Sequence, residues 1–147
     1  MREIKFRGKS EISHEWRYGS LVMIGKYPHI VEDCDVEEDG HHICQTSDRP
    51  TWIIPDTIGQ FTGLRDANGR EIYEGDVLRL EDEEKAYGAV VWHPKGYFAI
   101  DWHFGKCDLL DYDYRPLGEM LYHRLRSGKL LRFVVLDNIH DYKEGEL

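Results

Sequence analysis

The chain has 147 residues, of which 41% are hydrophobic and 12% aromatic, and its 28 acidic and 19 basic side chains give a formal net charge of −9. This length supports one domain or two small ones, and the aromatic content favours strands over helices. The acidic excess argues against non-specific nucleic-acid binding, which needs basic patches, and the composition excludes a chain that is disordered throughout.

The cysteine content and the charged opening residues indicate the compartment. Three cysteines, Cys34, Cys44 and Cys107, are an odd number, and no apolar stretch follows the charged start. No segment approaches the length of a transmembrane helix. We therefore expect reduced thiols in a cytoplasm, no membrane attachment and no cofactor.

Strand patterns dominate the first third of the chain. Residues 3–7 and 17–24 are predicted as strands, and the run Leu21-Val22-Met23-Ile24 is apolar enough to be buried on both faces. Short strands at residues 30–31 and 42–46 flank an acidic turn. Residues 52–54 lie between two prolines, which favours a short edge strand.

The Asp-Ala-Asn-Gly segment at residues 66–69 is a strong turn signal, because Asn and Gly tolerate the positive φ of tight hairpins. A two-residue loop would set Asp66 opposite Glu71, and like charges directly across a ladder are unfavourable. A three-residue loop closed by Gly69 gives complementary pairs instead, so we favour this register. Its pairs are Asp66 with Arg70, Arg65 with Glu71, and Leu64 with Ile72.

The second half continues as strands with one helix. Residues 77–80 are predicted as a strand, residues 87–93 and 97–104 as an antiparallel hairpin, and residues 130–136 as a final apolar strand. Residues 116–127 form the predicted helix, with Pro116 in its first turn and Gly128 as its cap. The hairpin register sets Trp92 against Phe98, Val90 against Ile100, and Gly88 against Trp102, where the glycine leaves room for the indole.

Several segments together resemble a known family. The run TGLRDANGREIYEGDVL at residues 62–78, the opening MREIKFRGKS, and residues 54–60 and 135–140 are similar to the YopX family of phage and prophage proteins. Residues 28–49 and 109–129 match only loosely. The resemblance implies a mostly β protein with a small SH3-like barrel in its C-terminal part, a bacterial host cell, and a family without an established biochemical activity.

The predicted fold is therefore mainly β. An N-terminal β region, residues 1–73, packs on a C-terminal SH3-like small barrel, residues 74–147, and the chain has one short helix. The two parts are expected to form one packed unit, because no linker composition separates them.

Two groups of residues have the types, but not the arrangement, of metal ligands. Cys34, His41, His42 and Cys44 offer thiolates and imidazoles suited to zinc, yet their spacing is no recognised zinc-finger pattern. Buried thiols and turn histidines are the favoured alternative. His93, Asp101 and His103 share one face of the predicted hairpin, but at about 3.3 Å per residue His93 and Asp101 lie too far apart for one ion.

Aromatic residues are numerous for so short a chain, and aromatic side chains are over-represented at interface hot spots. Core packing is the commoner role of such residues. The candidates for a binding surface are Tyr87, Tyr97, Tyr112, Tyr114, Trp16 and Trp52.

No catalytic constellation stands out, so a non-enzymatic module that binds a host or phage protein is the favoured function. Self-association into a homo-oligomer is a further expectation. The alternatives are nucleic-acid binding by the small barrel, imitation of DNA by the acidic surface, and, less favoured, a metalloenzyme that uses the Cys/His residues.

Overall fold

The computed structural model describes residues 1–32, 35–36, 42–43, 50–102, 114–122 and 127–142. Antiparallel strands dominate these residues, with one short helix, which confirms the mainly β fold. The chain divides into two compact units, Met1–Phe61 and Thr62–Leu147. The domain boundary after Tyr73 and the SH3-like form of the C-terminal part stay predictions.

The first unit is built from short antiparallel strands. Neighbouring strands in its main sheet follow the order β6-β3-β2-β1-β7, β4 pairs with β5, and β7 continues into the second unit. The strands are β1 (Phe6–Lys9), β2 (Trp16–Ile24), β3 (Tyr27–Val31), β4 (Asp35–Val36), β5 (His42–Ile43), β6 (Thr51–Trp52) and β7 (Gly59–Arg65).

The strands β1, β2, β3 and β6 close into a ring. Beyond the three strand pairs, the end of β1 returns to β6 through a bridge between Ser10 and Ile53. The Ile54 N–H group also donates to the Lys9 carbonyl oxygen at 2.9 Å. Ile53 and Ile30 are fully buried, and a Cβ atom on Gly8 would lie 2.3 Å from Cγ2 of Ile53. The first unit is therefore a small closed barrel that needs glycine at residue 8.

The second unit contains a five-stranded sheet with the order β12-β11-β10-β9-β13. Its further elements are β8 (Glu71–Tyr73), β9 (Asp76–Leu80), β10 (Glu83–His93), β11 (Tyr97–Asp101), β12 (Tyr114–Pro116), α1 (Leu117–Leu121) and β13 (Phe133–Asn138). One apolar cluster fills its core, formed by Ile72, Leu78, Val90, Ile100, Trp102, Leu117, Met120, Leu131, Phe133 and Val135.

The predicted register of the β10–β11 hairpin is confirmed. Val90 pairs with Ile100, and Trp92 pairs with Phe98. A Cβ atom on Gly88 would lie 3.1 Å from the Trp102 ring and 2.6 Å from Cγ2 of Ile100, so this glycine does make room for the indole. Strand β11 ends at Asp101, and residue 103 lies outside the described residues.

The helix α1 is shorter than the predicted helix over residues 116–127. Pro116 is its N-cap and Tyr122 its C-cap, so Gly128 does not end it. Leu117 and Met120 are buried, and these two residues give one turn enough apolar surface to pack on the core. Residues 123–126 lie outside the described part of the chain. Helical spacing of apolar residues extended the prediction past Leu121, the last residue of the helix.

The turn between β7 and β8 has the three-residue loop, as predicted from the charge pairs that this register allows. The Asp66 N–H group donates to the Arg70 carbonyl oxygen at 2.8 Å, and Gly69 has a φ of 83°. Nη2 of Arg65 lies 3.3 Å from Oε1 of Glu71. The predicted pairings of Asp66 with Arg70 and of Arg65 with Glu71 are confirmed.

We expect the Arg65–Glu71 ion pair to contribute little to stability. The Arg65 side chain is mainly exposed, and exposed pairs contribute about 0.2–1 kcal/mol. Arg65→Ala should therefore lower the thermal midpoint only slightly in a thermal unfolding scan. Arg70→Ala, at the next exposed arginine, is the matched control. A large drop for Arg65→Ala alone would contradict this expectation.

Candidate binding surface

A cluster of apolar side chains lies exposed on the outside of the first-unit barrel. In the register of strands β2, β3 and β6, Val22 lies opposite His29, His29 opposite Trp52, and Ile24 opposite Tyr27. Residues that lie opposite each other on neighbouring strands point to the same face of the sheet. Val22, Ile24, Tyr27 and Trp52 are 38%, 50%, 46% and 45% exposed. We call Val22, Ile24, Tyr27, His29 and Trp52 the outer patch. Contiguous exposed apolar surface of this kind marks an interaction site more often than isolated apolar residues do.

The aromatic rings of the outer patch pack edge to face. The Tyr27 and Trp52 ring centroids lie 5.3 Å apart with an interplanar angle of 74°. Nζ of Lys26, in the turn between β2 and β3, lies 5.4 Å from the Tyr27 centroid. This geometry fixes the two rings while leaving nearly half of each residue in solvent, so the rings are available as rigid anchors.

Cations also accompany the aromatic ring at the start of β2. The Arg7 guanidinium carbon lies 4.8 Å from the Trp16 ring, and Lys9 Nζ lies 5.5 Å from it. Register pairs Lys9 with Trp16 and Arg7 with Tyr18. Because side chains alternate along a strand, Trp16 and Tyr18 share the face of β2 that carries Val22 and Ile24.

One group of acidic side chains lies with Arg17 on the other face of β2. Arg17 binds Glu15 at 3.3 Å and Glu32 at 3.4 Å. Arg17 alternates with Trp16 and Tyr18, so this ion-pair group is separated by the sheet from the outer patch. The patch side of β2 itself carries the aromatic and aliphatic side chains of Trp16, Tyr18, Val22 and Ile24.

The exposure of the outer patch corrects one prediction. The run Leu21-Val22-Met23-Ile24 is not buried on both faces, because Val22, Met23 and Ile24 are all exposed. The β2–β3 hairpin extends beyond the few residues that fill the barrel, and no described residue of the first unit covers its outward face. Trp52 was recognisable as a candidate from its residue type, whereas Val22, Ile24 and Tyr27 carry no signal that separates them from core residues.

The predicted binding tyrosines do not form one cluster in the described residues. Tyr97 stacks on His93 with ring centroids 4.7 Å apart, whereas Tyr87 contacts Tyr142 at 6.0 Å. His93 pairs with Tyr97 next to the hairpin loop, so Tyr87 lies about 20 Å along β10 from this stack. Tyr112 and the side chain of Tyr114 lie outside the described residues. A binding role for these four tyrosines stays a prediction.

The proposed metal ligands cannot be placed. Cys34, His41, Cys44 and the side chain of His42 lie outside the described residues. Within the described ranges, no three His, Cys, Asp or Glu side chains gather into a group that could hold an ion. Asp101 pairs with Ala89, four residues before His93 on β10, which agrees with the separation expected for that second set.

The described part of the chain also contains no helix long and apolar enough to span a membrane.

Taken together, the strands define a mainly β protein whose N-terminal barrel presents an exposed aromatic and aliphatic surface. The sequence model described as "YopX protein" matches residues 5–123. The chain belongs to the YopX family, as its sequence resemblance predicts. No curated protein matches it.

A solved structure has a similar fold. The crystal structure of protein EF1440 from Enterococcus faecalis superposes with a TM-score of 0.52 over 95% of both chains, at 20% sequence identity. At this identity the likeness extends to the fold alone.

Proposed function

We propose that this YopX-family protein is a non-enzymatic module that binds a host or phage protein through the outer patch. It acts in the cytoplasm of a bacterial cell that carries a phage or prophage. The origin and the compartment rest on the family resemblance and on the cysteine usage described above.

One observation carries the proposal. Four large side chains, Val22, Ile24, Tyr27 and Trp52, stand next to one another on adjacent strands with between 38% and 50% of each exposed. Leaving such surface in water is unfavourable by about 25 cal/mol per Å², and a protein partner removes that cost by burying it. Trp and Tyr are also the residues most often found at energetic hot spots.

Trp52→Ala should remove partner binding without unfolding the chain. Trp52 is exposed, and its backbone oxygen, which accepts from the Glu11 N–H group, is retained in the variant. Truncating a hot-spot aromatic costs about 2 kcal/mol or more, which is about 30-fold in affinity. Proteins captured from nuclease-treated bacterial lysate by immobilised wild type and by the variant are compared by quantitative mass spectrometry.

Trp92→Ala is the matched control, because Trp92 is 51% exposed and lies in the second unit. The proposal requires a stoichiometric protein that wild type and Trp92→Ala retain and Trp52→Ala loses. Equal retention by all three proteins would exclude the outer patch. A protein that wild type retains from untreated lysate but loses after nuclease treatment would favour nucleic-acid binding.

A further inference from the structure

We infer that the turn between β7 and β8 is a site of spontaneous covalent modification, at which Asn68 converts to isoaspartate and thereby weakens the attachment of β13. This inference goes beyond the proposed function, because it concerns the second unit and needs no partner. It rests on the surroundings of two neighbouring residues, Asn68 and Gly69.

The reaction needs only the chain and water. The Gly69 backbone nitrogen loses its proton to solvent base and bonds to Cγ of Asn68, while the bond from Cγ to the side-chain nitrogen breaks and ammonia leaves. The product is a succinimide ring. Water then opens this ring on either side of the Gly69 nitrogen. Breaking the bond to Cγ gives aspartate, whereas breaking the bond to the backbone carbonyl carbon gives isoaspartate. No atom is oxidised or reduced.

The tip of the turn leaves both reacting groups accessible. Asn68 and Gly69 are exposed, and Gly69 has no side chain to hinder the approach of its nitrogen. No described atom lies within 4 Å of the position that a Cβ atom on Gly69 would take, so this residue can rotate without displacing packed neighbours. In the described part of the chain, the hydrogen bond of Asn68 comes from its backbone N–H group, and its side-chain amide has none.

One hydrogen bond controls the attack. The Gly69 N–H group donates to the Asp66 carbonyl oxygen at 3.0 Å, so its nitrogen reacts only after this bond opens. Exposed turns open locally at a much lower free energy than the whole domain. The folded chain should therefore react through a local fluctuation of the turn and not through global unfolding.

Asn138, the other asparagine of the chain, has the opposite surroundings. It is only 7% exposed, and the branched side chain of Ile139 follows it. Its Oδ1 accepts from the N–H groups of His140 at 2.9 Å and Asp141 at 3.1 Å, and its Nδ2 donates to Oδ2 of Asp141 at 2.9 Å. This side chain is held in place, so Asn138 should stay intact and serves as an internal reference.

Isoaspartate would disturb the contacts of the turn with β13. It adds a carbon atom to the backbone between residues 68 and 69. The N–H groups of Asn68 and Arg70, on either side of this insertion, both donate to Oδ1 of Asp66, at 2.9 and 2.8 Å. The longer link draws these two donors apart. Oδ2 of the same carboxylate accepts from Val135 in β13 at 2.9 Å, so isoaspartate should weaken the contact that covers this edge strand.

The test incubates the full-length protein in mildly alkaline buffer and follows both asparagines by peptide mapping, with synthetic peptides that carry aspartate or isoaspartate as standards. Isoaspartate should accumulate at residue 68 while Asn138 stays intact. Gly69→Ala should slow the reaction, because its methyl group hinders attack by the nitrogen. Urea below the unfolding transition separates the two routes. Local opening exposes little surface and gives a rate nearly independent of urea, whereas global unfolding gives a rate that rises steeply.

The isoaspartate form, separated by chromatography, should unfold at a lower urea midpoint than the unmodified protein. Asn68→Asp carries the same charge on an ordinary backbone and should lose much less. Isoaspartate that forms in urea-unfolded protein but not in the folded chain would overturn the inference, and so would a rate that rises steeply with urea. Equal midpoints for the isoaspartate form and Asn68→Asp would reject the proposed effect on β13.

Discussion

Asp66→Ala is expected to lower the free energy of unfolding by about 4 kcal/mol, because the buried Asp66 carboxylate joins two parts of the second unit. Its Oδ1 accepts from the N–H groups of Asn68 at 2.9 Å and Arg70 at 2.8 Å. Its Oδ2 accepts from the N–H group of Val135, in β13, at 2.9 Å. Hydrogen bonds to a charged group contribute about 1.5–3 kcal/mol each, and the buried Val135 N–H group would lose its acceptor.

Urea unfolding followed by circular dichroism measures this loss, with two further variants for comparison. Asp66→Asn keeps one oxygen as an acceptor but turns an amide donor toward backbone N–H groups. Its free energy of unfolding should therefore lie between those of wild type and Asp66→Ala. Asp82→Ala removes an exposed carboxylate that binds Lys129 at 2.5 Å and should cause no measurable change. Equal midpoints for Asp66→Ala and Asp82→Ala would show that the carboxylate does not hold β13.

The Asp66 turn also covers the free edge of the five-stranded sheet. Strand β13 pairs with β9 on one side, while on its other side Val135 donates to Asp66 and the Phe133 carbonyl oxygen accepts from Ala67 at 2.9 Å. Unpaired edge strands are sites of association between chains. Loss of the carboxylate should therefore promote concentration-dependent association as well as instability.

Local rules predicted the hairpins of this fold well. The Asp66–Arg70 register follows from the like-charge conflict in the alternative loop, and the β10–β11 register follows from alternation around the loop at Gly96. Both depend on residues close together in sequence. The role of the Asp66 side chain could not be predicted in this way. Its partner Val135 is 69 residues away, and no sequence pattern identifies this residue as the partner.

The sequence does not distinguish the residues of the outer patch from core residues. Val22 and Ile24 have the composition of a buried strand, and their exposure depends on whether another layer covers β2. The closure of the barrel through the Ser10–Ile53 bridge decides which face of β2 points inward. Sequence periodicity does not predict such long-range pairing, because it indicates these segments only as separate short strands.

Gly19→Ala is expected to cost at least about 3 kcal/mol of stability in the first unit. A Cβ atom at residue 19 would lie 2.1 Å from the carbonyl oxygen of Val31 and 2.9 Å from Cα of Glu32. Both are backbone atoms, so no side-chain rotation relieves the clash. Gly19 also has a φ of 154°, where side chains are strained. Relief requires β2 and β3 to separate beside the Ser20–Val31 pair, which opens the barrel ring.

Gly25→Ala is the matched control, because Gly25 lies in the turn of the same hairpin with a φ of 63° and nothing within 4 Å of a Cβ atom. It should cost only about 1 kcal/mol, the penalty of the left-handed conformation. Since the outer patch spans β2 and β3, Gly19→Ala should also lose Trp52-dependent partner capture, whereas Gly25→Ala should keep it. The test measures the unfolding midpoint and the amount of partner protein captured for both variants. Equal, small effects of the two substitutions would mean that the patch does not depend on the close approach of these strands.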